Sequence, residues 1–323
     1  VTLRKHRRYV HIVSHGPQCL DGVTAAVVVA CFHPDCEVKP VFCSNTSVNR
    51  TLLELECEPP DAEHEVWITD ISWTDPQVDV HLTGLQKRGV DLHWIDHHRT
   101  ALERFRSGGI HVPFSSTVVD ESFAASRLTY EYLRQKRPLP TEPSGLARLV
   151  AMADDNDRWL HEIPDSHALA LAVNALNSNA AYDELLLLAK TGQWSERLRS
   201  AYVLAQQDVS RSIALASRTR AEHRLEEIGV TLVTAVCDGY PSEVAEEWNK
   251  DAEQSVFAFF DLRSQTVSFR RSPDCKVDLS QLAKRFGGGG HPAASGCDIP
   301  NLLQELAQSL AKVVAPALLE RGC

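Results

Sequence analysis

The stretch His93-Trp94-Ile95-Asp96-His97-His98 closes an apolar run with a carboxylate and two imidazoles. Elsewhere the chain carries His15, Cys19 and Asp21 close together, a lone Asp70, and the acidic run Asp154-Asp155-Asn156-Asp157. Carboxylates crowded into one place repel one another and need cations. Mixed carboxylate and imidazole donors suit Mn2+, Fe2+ or Zn2+ more than Ca2+. Two such ions roughly 3.5–4 Å apart, bridged by one shared Asp, would activate water and hold phosphoryl oxygens for in-line displacement. Singly, each residue is a weak signal. An isolated His15 is more often a hydrogen-bonded core residue, and Asp70 is as often a turn or helix cap. Asp-His-His suits a surface cluster, and Asp155 a solvated helix end. The joint pattern carries the weight, because four segments offer metal ligands.

The elements that must position them alternate. Tyr9 to Ser14 reads as a buried strand ending at His15, followed by a Gly/Pro loop over 16–22 and an Ala-rich helix from Thr24 to Phe32. Val38–Cys43 and Glu65–Thr69 read as further strands, the latter ending at Asp70. A helix from about Pro76 to Arg88 leads into the strand that stops at Asp96. Such alternation implies a parallel sheet with both faces covered. Ligand sites in open α/β sheets lie beyond the carboxyl ends of the strands, which is where these side chains fall. Residues 121–177 read as mainly helical, with a helix over Gly145–Ala153 running into the acidic stretch. Acids at a helix C-terminus oppose the macrodipole at about 0.3–1 kcal/mol each, so other groups must hold them.

A long polar helix from Ser195 to Glu222 then connects two domains, and it is long enough to pair with a second copy. Beyond it, strands at Thr231–Val236, Ser255–Phe260 and Thr266–Phe269 interleave with helices near Ser242–Lys250 and Leu279–Phe286, before a final helix near Leu302–Leu319. The expected class is α/β, with a metal-binding domain over 1–190, a connecting helix over 191–222 and a smaller α/β domain over 223–323.

Composition bounds the function. With 323 residues, 43% apolar and 24% charged, the chain can bury two cores. No apolar stretch approaches the roughly 18 residues of a membrane span, and no signal-peptide pattern opens it. A net charge of −10 argues against extended polynucleotide or duplex binding but allows a short anionic substrate. The basic stretch Arg4-Lys5-His6-Arg7-Arg8 reads as a solvated arm. Nine scattered cysteines without a C-x-x-C pair suggest neither a zinc knuckle nor a disulfide framework, and fit a reducing cytoplasm.

Gly287-Gly288-Gly289-Gly290-His291 follows a helix directly. Four glycines could be a hinge. Their backbone N–H groups could equally approach an anion closely, with His291 donating beside them, and the position favours a phosphate loop.

Taken together, these motifs resemble the DHH phosphoesterases that carry a DHHA-type C-terminal domain, a family of oligoribonucleases, cyclic-dinucleotide phosphodiesterases and RecJ-like exonucleases. The likeness runs in motif order from His15-x-x-x-Cys19-x-Asp21 through Asp70, Asp96-His97-His98 and the acid near Asp155 to the glycine run and His291. It implies two divalent ions, Mn2+ being the expected one. One would take His15, Cys19 and Asp70. The other would take Asp21, Asp70, His97 and Asp155, with Asp157 as the second choice for the last acid. It also implies that His98 lies near the scissile phosphate with Asp96 orienting an imidazole, and that Arg270 or Arg271 joins Gly288, Gly289, Gly290 and His291 on the substrate's end. Cys19 departs from the pattern, since most members have Asp there, and a thiolate is a softer ligand.

The activity implied is hydrolysis of short oligonucleotides or linear dinucleotides to nucleoside 5′-monophosphates. Two other readings stay open: an enzyme for cyclic dinucleotides or 3′-phosphoadenosine 5′-phosphate, and a nucleotide-binding module whose metal site has decayed at Cys19.

Overall fold

The computed structural model describes residues 7–299 and 301–320, so most of the basic arm, Arg4 to His6, lies outside the described residues. The chain divides into two compact units, Val1–Gln207 and Asp208–Cys323.

In the first unit, strands β1 (Arg8–His15), β2 (Glu37–Cys43), β3 (Glu63–Thr69), β4 (Asp91–Asp96) and β5 (Ser116–Val119) form an all-parallel sheet in the order β2-β1-β3-β4-β5. Helices α1 (Leu20–Cys31), α2 (Val48–Leu53), α3 (Pro76–Lys87) and α4 (Arg99–Arg106) link the strands. Helices α5 (Ala125–Lys136), α6 (Leu146–Asp157), α7 (Ser166–Asn174), α8 (Ser178–Thr191) and α9 (Glu196–Thr219) follow. The division between units falls inside α9.

The run Thr24-Ala-Ala-Val-Val-Val-Ala is locally ambiguous, because β-branched residues cost a few tenths of a kcal/mol each in a helix. Burial decides. Every residue of α1 from Leu20 to Val29 is buried, and each buried Val contributes about 1.5–3 kcal/mol relative to exposure. Helix α1 packs in one core with residues of α5, α6, α7 and α8. The other face of the sheet packs Val13, Val66, Ile68 and Trp94 against Leu52, Val78, Leu82 and Leu85 of α2 and α3. Both faces are therefore covered, as a parallel sheet requires.

Registers Ser14↔Thr69 and Thr69↔Ile95 bring the carboxyl ends of β1, β3 and β4 to one edge. From β1 the chain goes to β2 on one side and then crosses back to β3 on the other side of β1. The strand order reverses at β1/β3, where an open α/β sheet forms its crevice.

The second unit contains β6 (Ala221–Leu225), β7 (Val230–Cys237), α10 (Pro241–Asn249), β8 (Ser255–Asp261), β9 (Thr266–Arg271), α11 (Leu279–Lys284), β10 (Gly289–His291), β11 (Ala294–Cys297) and α12 (Leu302–Glu320). Its sheet has the order β10-β11-β9-β8-β7-β6, with β7 and β8 parallel and the other pairs antiparallel. Trp248, Phe257 and Phe259 build one apolar cluster, while Phe260, Phe269, Leu279 and Cys297 belong to another. The long polar helix stops at Thr219, short of the expected Glu222, because Ala221 starts an edge strand paired with Thr234. Among the described residues, no helix is long and apolar enough to cross a membrane.

Candidate metal centre

The carboxyl ends of β1, β3 and β4 deliver His15, Asp70 and the Asp96-His97-His98 segment to one place. Asp70 follows β3 with φ +57°, a left-handed conformation that Asp tolerates better than most residues. Its Oδ2 lies 3.5 Å from His15 Nδ1 and accepts from Cys19 Sγ at 3.3 Å. Its Oδ1 lies 3.2 Å from His97 Nε2 and 3.8 Å from His98 Nδ1. Asp70 thus stands at the middle of the cluster, and its buried Oδ1 has no hydrogen-bond partner.

Cys19 is the N-cap of α1, its sulfur accepting from Gly22 N at 3.4 Å. Gly22 is required there. A Cβ at this position would stand 2.2 Å from the His15 carbonyl oxygen and 3.0 Å from Asp70 Oδ2. Two turns of chain can therefore meet at the cluster only because residue 22 has no side chain.

Asp21 is almost fully buried, and its two oxygens accept from Ala125 N at 2.8 Å and Ser126 N at 2.9 Å. These are first-turn N–H groups of α5, whose positive dipole end supports a carboxylate. Its Oδ2 lies 3.8 Å from His97 Nε2.

Asp155 does not reach the cluster, contrary to the expectation. Its Oδ1 accepts from Glu162 N at 2.8 Å and Ile163 N at 3.2 Å, while its Oδ2 accepts from the Ser166 hydroxyl. It fastens the connection from α6 to α7. Asp157, the second choice, is the acid that arrives, with Oδ2 3.6 Å from His97 Nε2. Asp154 pairs with Arg127 at 2.9 Å and Arg158 at 3.5 Å and accepts from Ala124 N at 2.8 Å. The three acids at the C-terminus of α6 are therefore each held by a different set of groups.

Asp96 is fully buried, and its Oδ1 accepts from both His98 N at 2.9 Å and His98 Nδ1 at 2.8 Å. It orients the second imidazole of the motif, and its own carboxylate points to no other partner of the cluster.

The electrostatics ask for positive charge. Burial, Asp70 and Asp157 push the Asp21 carboxyl well above its ordinary range. Burial also raises Asp157, despite the neighbouring histidines. Asp70 goes the other way: burial would raise it, but His15, His97 and His98 hold it down. Burial opposes charge on His97, yet Asp70, Asp157 and Asp21 drive it up to about 11. His98, likewise opposed by burial, is pushed up to about 9 mainly by Asp96. Protonated imidazoles thus supply the cations that three carboxylates require, a role a metal takes by displacing the proton. Three overlapping groups here are each compact enough for one ion: His15 with Cys19 and Asp70, Asp70 with His97 and His98, and Asp21 with His97 and Asp157. The donor set, with a buried Asp70 oxygen facing two imidazole nitrogens, fits divalent metal binding. Cys19 stays in the set, since its sulfur touches Asp70; burial and the neighbouring acids hold its thiol protonated until a metal takes the thiolate.

In the second unit, the glycines do not form a simple loop at a helix terminus. Gly289, Gly290 and His291 are β10, an edge strand paired with β11. A Cβ at Gly288 would stand 2.1 Å from the Gly296 carbonyl oxygen, and one at Gly290 would stand 2.7 Å from the Ala294 carbonyl oxygen. These two glycines are needed for backbone packing. Arg270 and Arg271 differ. Arg270 is committed to the Ser242 hydroxyl and the Phe269 carbonyl, whereas Nε and Nη1 of Arg271 are buried without hydrogen-bond partners.

Residues 232–317 match the DHHA1 domain family. The chain is 25% identical over 308 residues to oligoribonuclease NrnB of Bacillus subtilis, covering 92% of this chain and 74% of that one. By these matches the C-terminal unit carries a DHHA1 domain, and the chain as a whole is similar to an oligoribonuclease. Its fold is shared with a pGpG-specific phosphodiesterase, PggH of Vibrio cholerae, at a TM-score of 0.53 and 13% identity, over 96% of this chain and 99% of the other. It is also shared with RecJ of Thermus thermophilus, solved with Mn2+, at a TM-score of 0.56 and 15% identity, over 98% of this chain and 53% of that one. The Asp-His-His motif of this chain is Asp96-His97-His98.

Proposed function

We propose that this chain is a DHH-type, divalent-metal-dependent phosphodiesterase that hydrolyses short oligonucleotides or linear dinucleotides to nucleoside 5′-monophosphates. The observation that carries the reading is the convergence of His15, Cys19, Asp21, Asp70, His97 and Asp157 at the β1/β3 crevice, with Asp70 between the His15-Cys19 pair and the His97-His98 pair. His15, Cys19 and Asp70 would hold one ion, and Asp21, Asp70, His97 and Asp157 the other, Mn2+ being the ion that the carboxylate-rich set favours. Such ions, when bound, supply a water acidic enough to ionise near neutral pH and positive charge for phosphoryl oxygens.

The chain's own groups do the rest. The first-turn N–H groups of α5 fix both oxygens of Asp21 and favour its ionised form once a cation sits beside it. Asp96 fixes the His98 ring and keeps it cationic, so that His98 can stabilise charge building on the phosphate. Arg271, with buried guanidinium nitrogens still to satisfy, is the arginine proposed to grip a terminal phosphate with His291. The backbone of 288–290 is the third part of that grip. The net charge of −10 favours short substrates over long strands. The similarity to an oligoribonuclease over nearly the whole chain supports the same substrate class.

Metal analysis and a substrate panel test this reading together. Two equivalents of Mn2+ retained by the wild type and lost on Asp70→Ala are expected, with a linear dinucleotide turned over faster than a cyclic one. Turnover of a nucleoside bisphosphate alone would move the assignment to a phosphatase. A metal-free wild type with no turnover would make it a binding module.

A further inference from the structure

A second cluster of metal-ligating side chains lies apart from the crevice. His11 on β1, His64 on β3 and Cys57 in the segment before β3 are 5%, 6% and 6% exposed. One nitrogen or sulfur atom from each lies within 4.8 Å of the other two. His11 precedes His15 by four residues of strand, about 13 Å at roughly 3.3 Å per residue, so this cluster is separate from the carboxylate centre.

The tautomers are set. His64 Nε2 is 2.8 Å from the Pro59 carbonyl oxygen, which can only accept, so that nitrogen carries the proton. His64 Nδ1 therefore accepts from His11 Nε2 at 3.0 Å, and a metal held by both nitrogens takes the place of that proton, leaving His11 protonated on Nδ1. A backbone carbonyl on the far nitrogen is how metal-binding imidazoles are commonly held. Tyr9 stacks on the His64 ring at 5.2 Å and 15°, fixing its plane. Lys39, the cation beside His11, has its ammonium over the Tyr9 ring at 4.4 Å. In a tetrahedral site with Zn–N near 2.0–2.1 Å, two imidazole nitrogens stand roughly 3.3 Å apart. The pair would open by a few tenths of an ångström.

A cleft of about 400 Å3 adjoins the cluster, lined by His11, Glu54, Glu56 and Glu58 among others. Glu56 and Glu58 flank Cys57 in the chain, so a carboxylate or a water can complete four ligands. We propose that His11, Cys57 and His64 form a structural Zn2+ site, closed by Glu56, Glu58 or water. One soft thiolate and two imidazoles select zinc over the Mn2+ suited to the carboxylate centre. The ion would pin the 54–62 segment to the sheet and take no part in phosphodiester chemistry. Burial lowers the His11 pKa to about 4 and raises Cys57 to about 11. The first keeps a lone pair available at neutral pH, and the second means that zinc must displace the thiol proton.

The test uses the full chain carrying Cys19→Ser, which removes the thiolate of the other centre, titrated with Co2+. A near-ultraviolet thiolate-to-cobalt charge-transfer band saturating at one equivalent, and displaced by one equivalent of Zn2+, is expected. Adding Cys57→Ser should abolish the band. Adding His64→Gln, whose amide can still donate to Pro59, should weaken Co2+ binding by roughly 10–100-fold. A folded Cys19→Ser chain that shows no thiolate band overturns the proposal by itself. So does a band that survives Cys57→Ser. Should Cys57→Ser not fold, unchanged Co2+ affinity in His64→Gln overturns it equally.

Discussion

Asp157 Oδ2 stands 3.6 Å from His97 Nε2, a distance that separates the acid of helix α6 proposed as a ligand from the acid two residues before it, which fastens the chain. Two residues turn a helix by about 200°, so Asp155 and Asp157 point to opposite sides. Asp157→Asn is expected to lower turnover on the order of a hundredfold, the scale seen when one preorganised charged group is lost, with the melting temperature little changed. Asp155→Ala is expected to do the reverse. It strips acceptors from Glu162 N, Ile163 N and the Ser166 hydroxyl, at about 1–3 kcal/mol for each buried donor left unpaired. Paired kinetic and denaturation measurements on the two variants check the assignment.

Gly22→Ala should cost both stability and activity. The added methyl would stand 2.2 Å from the His15 carbonyl oxygen and 3.0 Å from Asp70 Oδ2. Overpacking of this kind costs about 1–3 kcal/mol or more, and relief requires α1 to move away from the ligands. Urea denaturation would show the loss, and Mn2+ affinity should fall with it. Gly84→Ala, where an added Cβ meets nothing within 4 Å, is the control.

Asp96→Asn keeps an acceptor for His98 but removes the charge. In the metal-free chain, the His98 pKa should fall from about 9 toward the ordinary 6.5, read by NMR titration of its ring protons. A value unmoved by the substitution would show that Asp96 does not hold the imidazole cationic.

How much of this was legible follows from residue types. The ends of β1, β3 and β4 were readable because each apolar run stops at a ligand-type side chain, at His15, Asp70 and Asp96. The edge strand β6 was not, since all of its residues but the last are exposed, so Ala221 and Glu222 read as more of the polar helix. Strand β5 was equally silent, being four half-buried residues without an apolar run. The choice between Asp155 and Asp157 depends on where α6 ends and what its last turn faces, which only packing determines. The glycine run was visible but misjudged in part. Gly288 and Gly290 serve close backbone approach between strands, a requirement the sequence shares with anion loops.

Acid stability should depend on His93. Burial beside Trp67, against which its ring stacks at 4.1 Å, lowers its pKa to about 4. The unfolded chain then binds more protons between about pH 6.5 and 4. The contribution of His93 is therefore complete above pH 6.5 and lost as pH falls through 4, on the order of 3 kcal/mol. Buried Glu65 is held well below its ordinary range, where His33 and Arg137 outweigh burial, so its contribution is complete above about pH 4.5 and is lost progressively as pH falls below it. Melting curves from pH 7.5 to 4 should fall more steeply for the wild type than for His93→Gln.

The most direct measurement is turnover of a linear 5′-phosphorylated dinucleotide by the full chain with added Mn2+, with products separated chromatographically. The expected result is two nucleoside 5′-monophosphates per substrate from the wild type and none above background from Asp70→Ala. A folded, Mn2+-loaded wild type that leaves the dinucleotide intact would contradict the assignment, as would equal turnover by Asp70→Ala.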